Sequence, residues 1–248
     1  TNVKKKVMKN IVLLILCFVI INKVNAQKKW SFGAEAFPNY SKGELKTTGN
    51  TNPSLVQLID ERETWKFCLS GLLFATYKLN SRSSIQFGIG YQNNGERTKY
   101  MQFTYGDMID PRTGSGSTTI SDPNAILGTR FYYNRHNIQI PILYQFNLIS
   151  RFYLKTGLST IFNFSNTTTL EKHLLSGKRE RSTENDTQTS YRGVNLSGQF
   201  GIGFDYVQRT NFSLYVQPTI EKFLIGVSTN APINRVPLSL GIVFGVRI

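Results

Sequence analysis

The stretch NIQIPILYQFNLISRFYLKTGLSTIFNF, residues 137–164, alternates apolar and polar side chains in two runs separated by a short turn. In the first run Ile138, Ile140, Ile142, Tyr144 and Phe146 share one face, and Asn137, Gln139, Pro141, Leu143 and Gln145 share the other. In the second, Phe152, Leu154, Leu158, Phe162 and Phe164 oppose Tyr153, Lys155, Gly157, Ser159 and Asn163. A period of two over runs this long specifies β-strands rather than helices.

Working outward, the same alternation recurs. Strands are expected over about Lys29–Phe37, Thr64–Leu79, Ser84–Tyr100, Gly193–Val207, Phe212–Phe223 and the C-terminal run from Leu238 to Ile248. Leu72 and Phe74 interrupt the polar face of the second of these. With the opening pair this makes eight strands. Short turns at Asn80–Ser83, Asn147–Arg151 and Gln208–Asn211 alternate with long polar segments at Tyr40–Glu63, Gly106–Thr129, Ser165–Arg192 and Leu224–Arg235. That order fits an all-β, eight-stranded antiparallel up-and-down transmembrane β-barrel with both chain ends on the short-turn side. The long segments, rich in Gly, Ser, Thr, Asn and Asp, are expected to be exposed loops.

The composition of the two faces sets which one is inside. The polar face carries Gly, Ser, Gln and Asn with isolated charges, whereas the exterior of a soluble barrel is dense in Lys and Glu. Aromatics near the strand ends of the apolar face, such as Trp30, Trp65, Tyr77, Tyr91, Tyr144, Phe152, Tyr206 and Phe212, suit interfacial belts. The polar face is therefore expected to line the lumen. Glu35, Lys66, Lys155, Asp205, Glu221 and Arg247 then point into a narrow space and are expected to pair as a lumenal charge network. Eight strands leave room for little more than side chains, so the lumen is expected to be filled. The competing reading is a secreted, lipocalin-like barrel of the same period.

The first 26 residues read as a signal peptide with cleavage after Ala26, leaving a barrel domain over residues 27–248. Lysines precede the apolar run Ile11–Ile21, which ends at Val24-Asn25-Ala26. Met8 is a candidate start. The formal charge is +14 from 29 basic and 15 acidic residues, and removing the five lysines of the leader leaves 24 against 15, or +9. Such a surplus suits anionic lipid or phosphate and gives no specific support for nucleic acid. Cys17 lies in the leader, so Cys68 alone cannot form an internal disulfide.

Chemistry-bearing clusters are sparse. His136 and His173 stand alone, and no Cys/His spacing suits a metal, so neither a metal nor another cofactor is expected. A hydrolase would need His136 beside an acid such as Asp107 or Asp110. A solvated histidine at the barrel rim is the simpler reading, and the chain is not expected to be an enzyme. Pro141 lacks the ladder donor and marks either a bulge or a packing feature facing the lumen. Arg130, Arg135, Lys172, Lys178, Arg179 and Arg181 cluster on the long-loop side, interleaved with Glu171, Glu180 and Glu184, and lipopolysaccharide phosphates are candidate partners there.

The run from Gly71 to Asn80 (GLLFATYKLN), Ser84 to Tyr91 (SIQFGIGY), the Ile-Pro-Ile core at Pro141 and the segment Phe152–Gly157 together resemble the PorT-like outer-membrane β-barrel family of Bacteroidetes. The resemblance implies an OmpX-like barrel in the outer membrane of a Gram-negative bacterium, with periplasmic termini and extracellular long loops. Ile248 stands where such barrels often end on an aromatic residue. The family implies no reaction. Three roles follow as alternatives: a structural or interaction barrel contacting outer-membrane lipid and surface partners, an accessory subunit of a secretion or envelope-assembly complex, and a small-solute pore or outer-membrane hydrolase.

Overall fold

A computed structural model describes residues 29–47, 52–102, 124–186, 190–209, 212–229 and 231–248. The expected signal peptide lies outside these residues. So do Asp107 and Asp110.

Eight long antiparallel strands close into a ring. They are β1 (Trp30–Thr47), β2 (Glu63–Lys78), β3 (Ser83–Asn94), β6 (Ile126–Asn147), β7 (Phe152–Leu174), β9 (Val194–Gln208), β10 (Ser213–Phe223) and β11 (Ile233–Arg247). Each pairs with the next, and β11 returns to β1 from Gly33↔Arg247 to Thr47↔Ile233. The terminal Ile248 completes the seam, its N–H donating to the Phe32 carbonyl at 2.7 Å. Closure gives every wall strand a neighbour on both sides. The short turns at 80–83 and 147–151 are tight. At the first, Asn80 Oδ1 accepts from the N–H groups of Arg82 and Ser83 at 2.8 Å, an Asx turn that sends β2 back as β3.

The long segments depart from the expected loops. In the first, β1 continues to Thr47 and a helix α1 (Pro53–Arg62) follows, begun by Pro53 and capped by Asn52, whose side chain accepts from the Ser54 N–H. β4 (Glu96–Thr98) is the far part of the strand expected over Ser84–Tyr100 and β5 (Met101–Gln102) follows it, while within the third long segment β8 (Arg179–Asn185) folds back on β7 from Thr167↔Asn185 to His173↔Arg179. Much of the third segment is thus a hairpin. Thr-rich sequence reads as loop from composition, but β-branched Thr167, Thr168 and Thr169 have strand propensity once β6 offers them a partner.

The faces alternate through the wall. Outward side chains such as Phe67, Leu69, Leu73, Ile89, Ile142, Leu158, Phe200, Ile242 and Phe244 are large, apolar and exposed, while the inward positions are mostly buried polar groups. The apolar belt runs from Trp30, Tyr77, Tyr144 and Phe152 near the short turns to Tyr40, Phe67, Tyr91 and Phe164 toward the long segments. Rings pair at both edges, Trp30 with Tyr77 and Tyr40 with Phe67.

Pro141 faces the lumen without a bulge. The β3–β6 ladder stops at Phe87↔Ile142 and resumes in the same register at Gly90↔Gln139, so the missing proline donor interrupts pairing without shifting it. Pro38 and Pro218 do the same against β11 and β9.

Inside, at the short-turn end, rings rest on glycines of the neighbouring strand: Phe74 opposite Gly33, Tyr153 opposite Gly203 and Tyr215 opposite Gly245. A Cβ on any of these glycines would overlap the ring it carries. The three rings pack with Phe37, Leu72 and Val243 into a small lumenal core, which accounts for the apolar breaks at Leu72 and Phe74. Replacing Gly203 by valine is expected to cost about 1–3 kcal/mol by overpacking, read as a lower urea midpoint for the barrel in phospholipid vesicles.

Candidate functional site

The lumen carries two layers of charge. In the first, at the short-turn end, Glu35 on β1 meets Lys155 on β7, with Nζ 2.8 Å from Oε1, although 120 residues separate them. Tyr215 donates its hydroxyl to the same carboxylate and Gln86 donates at 3.2 Å, while Lys155 also donates to Gln86 Oε1 at 3.0 Å. The ammonium lies 5.0 Å from the centre of the Tyr215 ring and 5.7 Å from that of Tyr153. Beside it Arg247 reaches Asp205 at 3.1 Å, and its guanidinium lies 5.5 Å from the centre of the Tyr215 ring.

Four of the six lumenal charges singled out in the sequence are therefore drawn together as two ion pairs. Lys66 and Glu221 are not. Both sit nearer the long-segment end of their strands, beyond reach of the first layer. Glu221 is satisfied instead by the Ser197 hydroxyl, which donates at 2.7 Å. Among the described residues no cation pairs with it.

The second layer, past the belt, is one the sequence reading missed. Arg135 on β6 grips Glu96 on β4 with both terminal nitrogens, and its Nε donates to Asn94 at 2.9 Å. Arg235 on β11 grips Glu63 at the start of β2 and approaches Glu96 at 3.4 Å. Glu96 and Arg135 are buried, at 1% and 3% exposure. Burial pushes the Glu96 carboxyl up, but the Arg135 guanidinium, with Arg235 and Lys66 adding to it, more than offsets this and holds it below the ordinary carboxylate range. Arg135, counted among the surface basic residues, is thus locked indoors. Arg181 and Lys178 pair with Glu171 and Glu180 on the β7–β8 hairpin.

Between the layers the wall is broken. β2 pairs with β3 as far as Gly71↔Tyr91, and pairing resumes with β4 at Trp65↔Glu96. Residues 66–70 of β2 thus face 92–95 across a stretch without ladder bonds, one residue longer on the β2 side. Side chains take over some of the orphaned donors: the Asn93 N–H goes to Ser70 Oγ at 3.2 Å and the Gly95 N–H to Ser41 Oγ at 3.3 Å. Gly95, at φ +156°, bends β3 into β4, and a Cβ there would strike the Tyr133 carbonyl. Lys66 enters this break, donating to the Tyr133 carbonyl at 3.1 Å and to Asn93 Oδ1 at 3.4 Å.

On the outer surface beside it, His136 Nδ1 and the Tyr91 hydroxyl lie 2.6 Å apart, and the His136 ring stands between those of Tyr91 and Phe164. Its candidate acids Asp107 and Asp110 fall outside the described residues. Among the described residues no group of three or more His, Cys, Asp or Glu could hold a metal ion.

A family model described as outer membrane protein beta-barrel domain matches residues 25–219. No curated protein matches the chain. Among solved structures, the chain is similar to Neisserial surface protein A (14% identity, 89% of this chain and 97% of that one, TM-score 0.39). It is also similar to Ail, the attachment invasion locus protein of Yersinia pestis (12%, 88% and 99%, TM-score 0.33), and to a major outer membrane protein from Thermus thermophilus (11%, 88% and 99%, TM-score 0.40).

Proposed function

The chain belongs to the outer membrane protein beta-barrel domain family, and from that premise we propose that it is a closed barrel serving the cell surface by contact rather than by conduction or catalysis. The observation that carries this is the doubly blocked lumen. The Glu35–Lys155 and Asp205–Arg247 pairs stand over the Phe74, Tyr153 and Tyr215 rings at one end, and the Glu96–Arg135 and Glu63–Arg235 pairs stand at the other. Liposomes carrying the folded protein are expected to swell in sugar solutions no faster than protein-free liposomes. Steady swelling that slows with sugar size would replace this reading with a pore.

The contact surface is the part of the wall that the membrane does not need. A transmembrane strand takes about 9–11 residues, whereas β6 has 22 and β7 has 23. Their surplus, with β8, makes a polar sheet standing clear of the belt. On this reading the sheet lies outside the cell and the termini in the periplasm, in a PorT-like protein of a Bacteroidetes outer membrane. Arg130, Lys172 and Arg179 lie on it as candidate contacts for lipopolysaccharide phosphates. The projecting hairpin also favours a protein partner, as an accessory subunit of a secretion or envelope-assembly complex would need. Co-purification from the native envelope with and without residues 175–178 exchanged for a Gly-Ser turn would test that role.

A further inference from the structure

We propose that the break in the wall between β2 and β3–β4 is a binding site for the phosphate of a membrane lipid, held by Lys66. This rests on the outer-membrane reading of the barrel. Three observations converge on it.

The first is the break itself, a gap of five residues on one side and four on the other, with a cavity of about 640 Å³ lying across it. Its lining mixes residues of both faces: Lys66 from the inside, and Phe67, Leu69, Tyr91, Asn93 and Asn134 from the outside. The cavity therefore opens toward lipid and not only toward the lumen.

The second is the charge. Lys66 is 7% exposed, and its ammonium donates to neutral acceptors; among the described residues no carboxylate forms an ion pair with it. The other lysine and arginine buried to that degree among the described residues, Lys155 and Arg135, each hold a carboxylate. Glu96 acts on Lys66 electrostatically but makes no ion-pair contact with it; a buried cation without such a contact is costly, and an anion entering the break would relieve it.

The third is depth. Lys66 lies between Trp65 and Phe67, and the Phe67 ring packs against Tyr40 at the upper edge of the apolar belt. Lipid phosphates lie at that edge. Phe67 and Leu69, 59% and 56% exposed, continue from it down the outer wall, where an acyl chain would run. A lipid thus finds a cation for its phosphate and an apolar track for its chain in one place. A free phosphate would use only the first.

The test is native mass spectrometry of the barrel folded in a neutral, phosphate-free detergent and titrated with dimyristoylphosphatidic acid. One lipid per chain is expected to be retained. Lys66→Gln should weaken retention about tenfold, the scale of one charge-assisted hydrogen bond; Lys66→Arg should keep it; and Lys222→Gln, which removes the exposed partner of Glu44, should leave it unchanged. Equal retention by Lys66→Gln, equal retention of dimyristoylglycerol, or full displacement by inorganic phosphate would each overturn the lipid site. Folding of every variant is checked by its gel mobility before and after boiling. Absence of that shift in the unsubstituted chain would overturn the barrel reading itself, a result distinct from loss of the Lys66 site.

Discussion

Replacing Lys155 by methionine is expected to destabilise the barrel by about 3–5 kcal/mol, because it strands the Glu35 carboxylate in the lumen. Glu35 is 8% exposed and Lys155 1%, so water cannot replace the lost ammonium cheaply. The carboxylate would keep Tyr215 and Gln86 as donors, which places the loss toward the lower end of that range. The measurement is urea unfolding of the barrel in phospholipid vesicles, followed by tryptophan fluorescence from Trp30 and Trp65. The double variant Glu35→Gln with Lys155→Met removes both charges and is expected to recover most of the loss, since a neutral amide can still bond to Tyr215 and Gln86. A double variant no more stable than Lys155→Met would show that the lysine acts through its packing on the three rings and not through its charge.

How much of this is legible in the sequence depends on where a residue lies relative to the apolar belt. Within it, most inward residues are flanked by apolar ones, and the alternation assigns a face residue by residue: Glu35, Lys155, Asp205 and Arg247 are all inward as read. Period two fixes a face but not a partner. Glu35 meets Lys155 from 120 residues away because the ring brings β1 and β7 onto opposite walls of a narrow lumen, and no local pattern encodes that. Past the belt both faces are polar, so the signal that separates inside from outside disappears. The run QNNGERTKY at 92–100 has no apolar face; the strand expected over Ser84–Tyr100 includes Glu96, but no apolar neighbour marks it as inward. Arg135 reads as a surface cation for the same reason. The break beside Lys66 is hidden further still, because a one-residue excess in one strand is a property of a pair of strands. Gly95 is its only local trace.

Replacing Arg135 by methionine is expected to cost about 3–5 kcal/mol at neutral pH, the loss for breaking a buried pair, and its pH dependence separates charge from packing. In the unsubstituted barrel the Glu96 carboxyl is held below its ordinary range by Arg135. A depressed carboxyl stabilises the fold above the unfolded value of about 4.3 and loses that contribution as pH falls through the folded value. In the variant, burial remains and the main counter-charge is gone, with Arg235 left at 3.4 Å and Lys66 acting without an ion-pair contact. The Glu96 carboxyl should then rise above its unfolded value, and a raised carboxyl has the opposite sign: the penalty is absent in acid and grows as pH rises through the unfolded value. The two proteins should therefore differ most at about pH 7–8 and converge below about pH 4. Carboxylates whose surroundings are unchanged contribute equally to both and cancel in the difference. Urea midpoints taken from about pH 3.5 to 8 in vesicles measure it. A gap between the curves that stays constant with pH would mean that Arg135 supports the mouth of the barrel by filling space, and that the Glu96 pair contributes little to closing it.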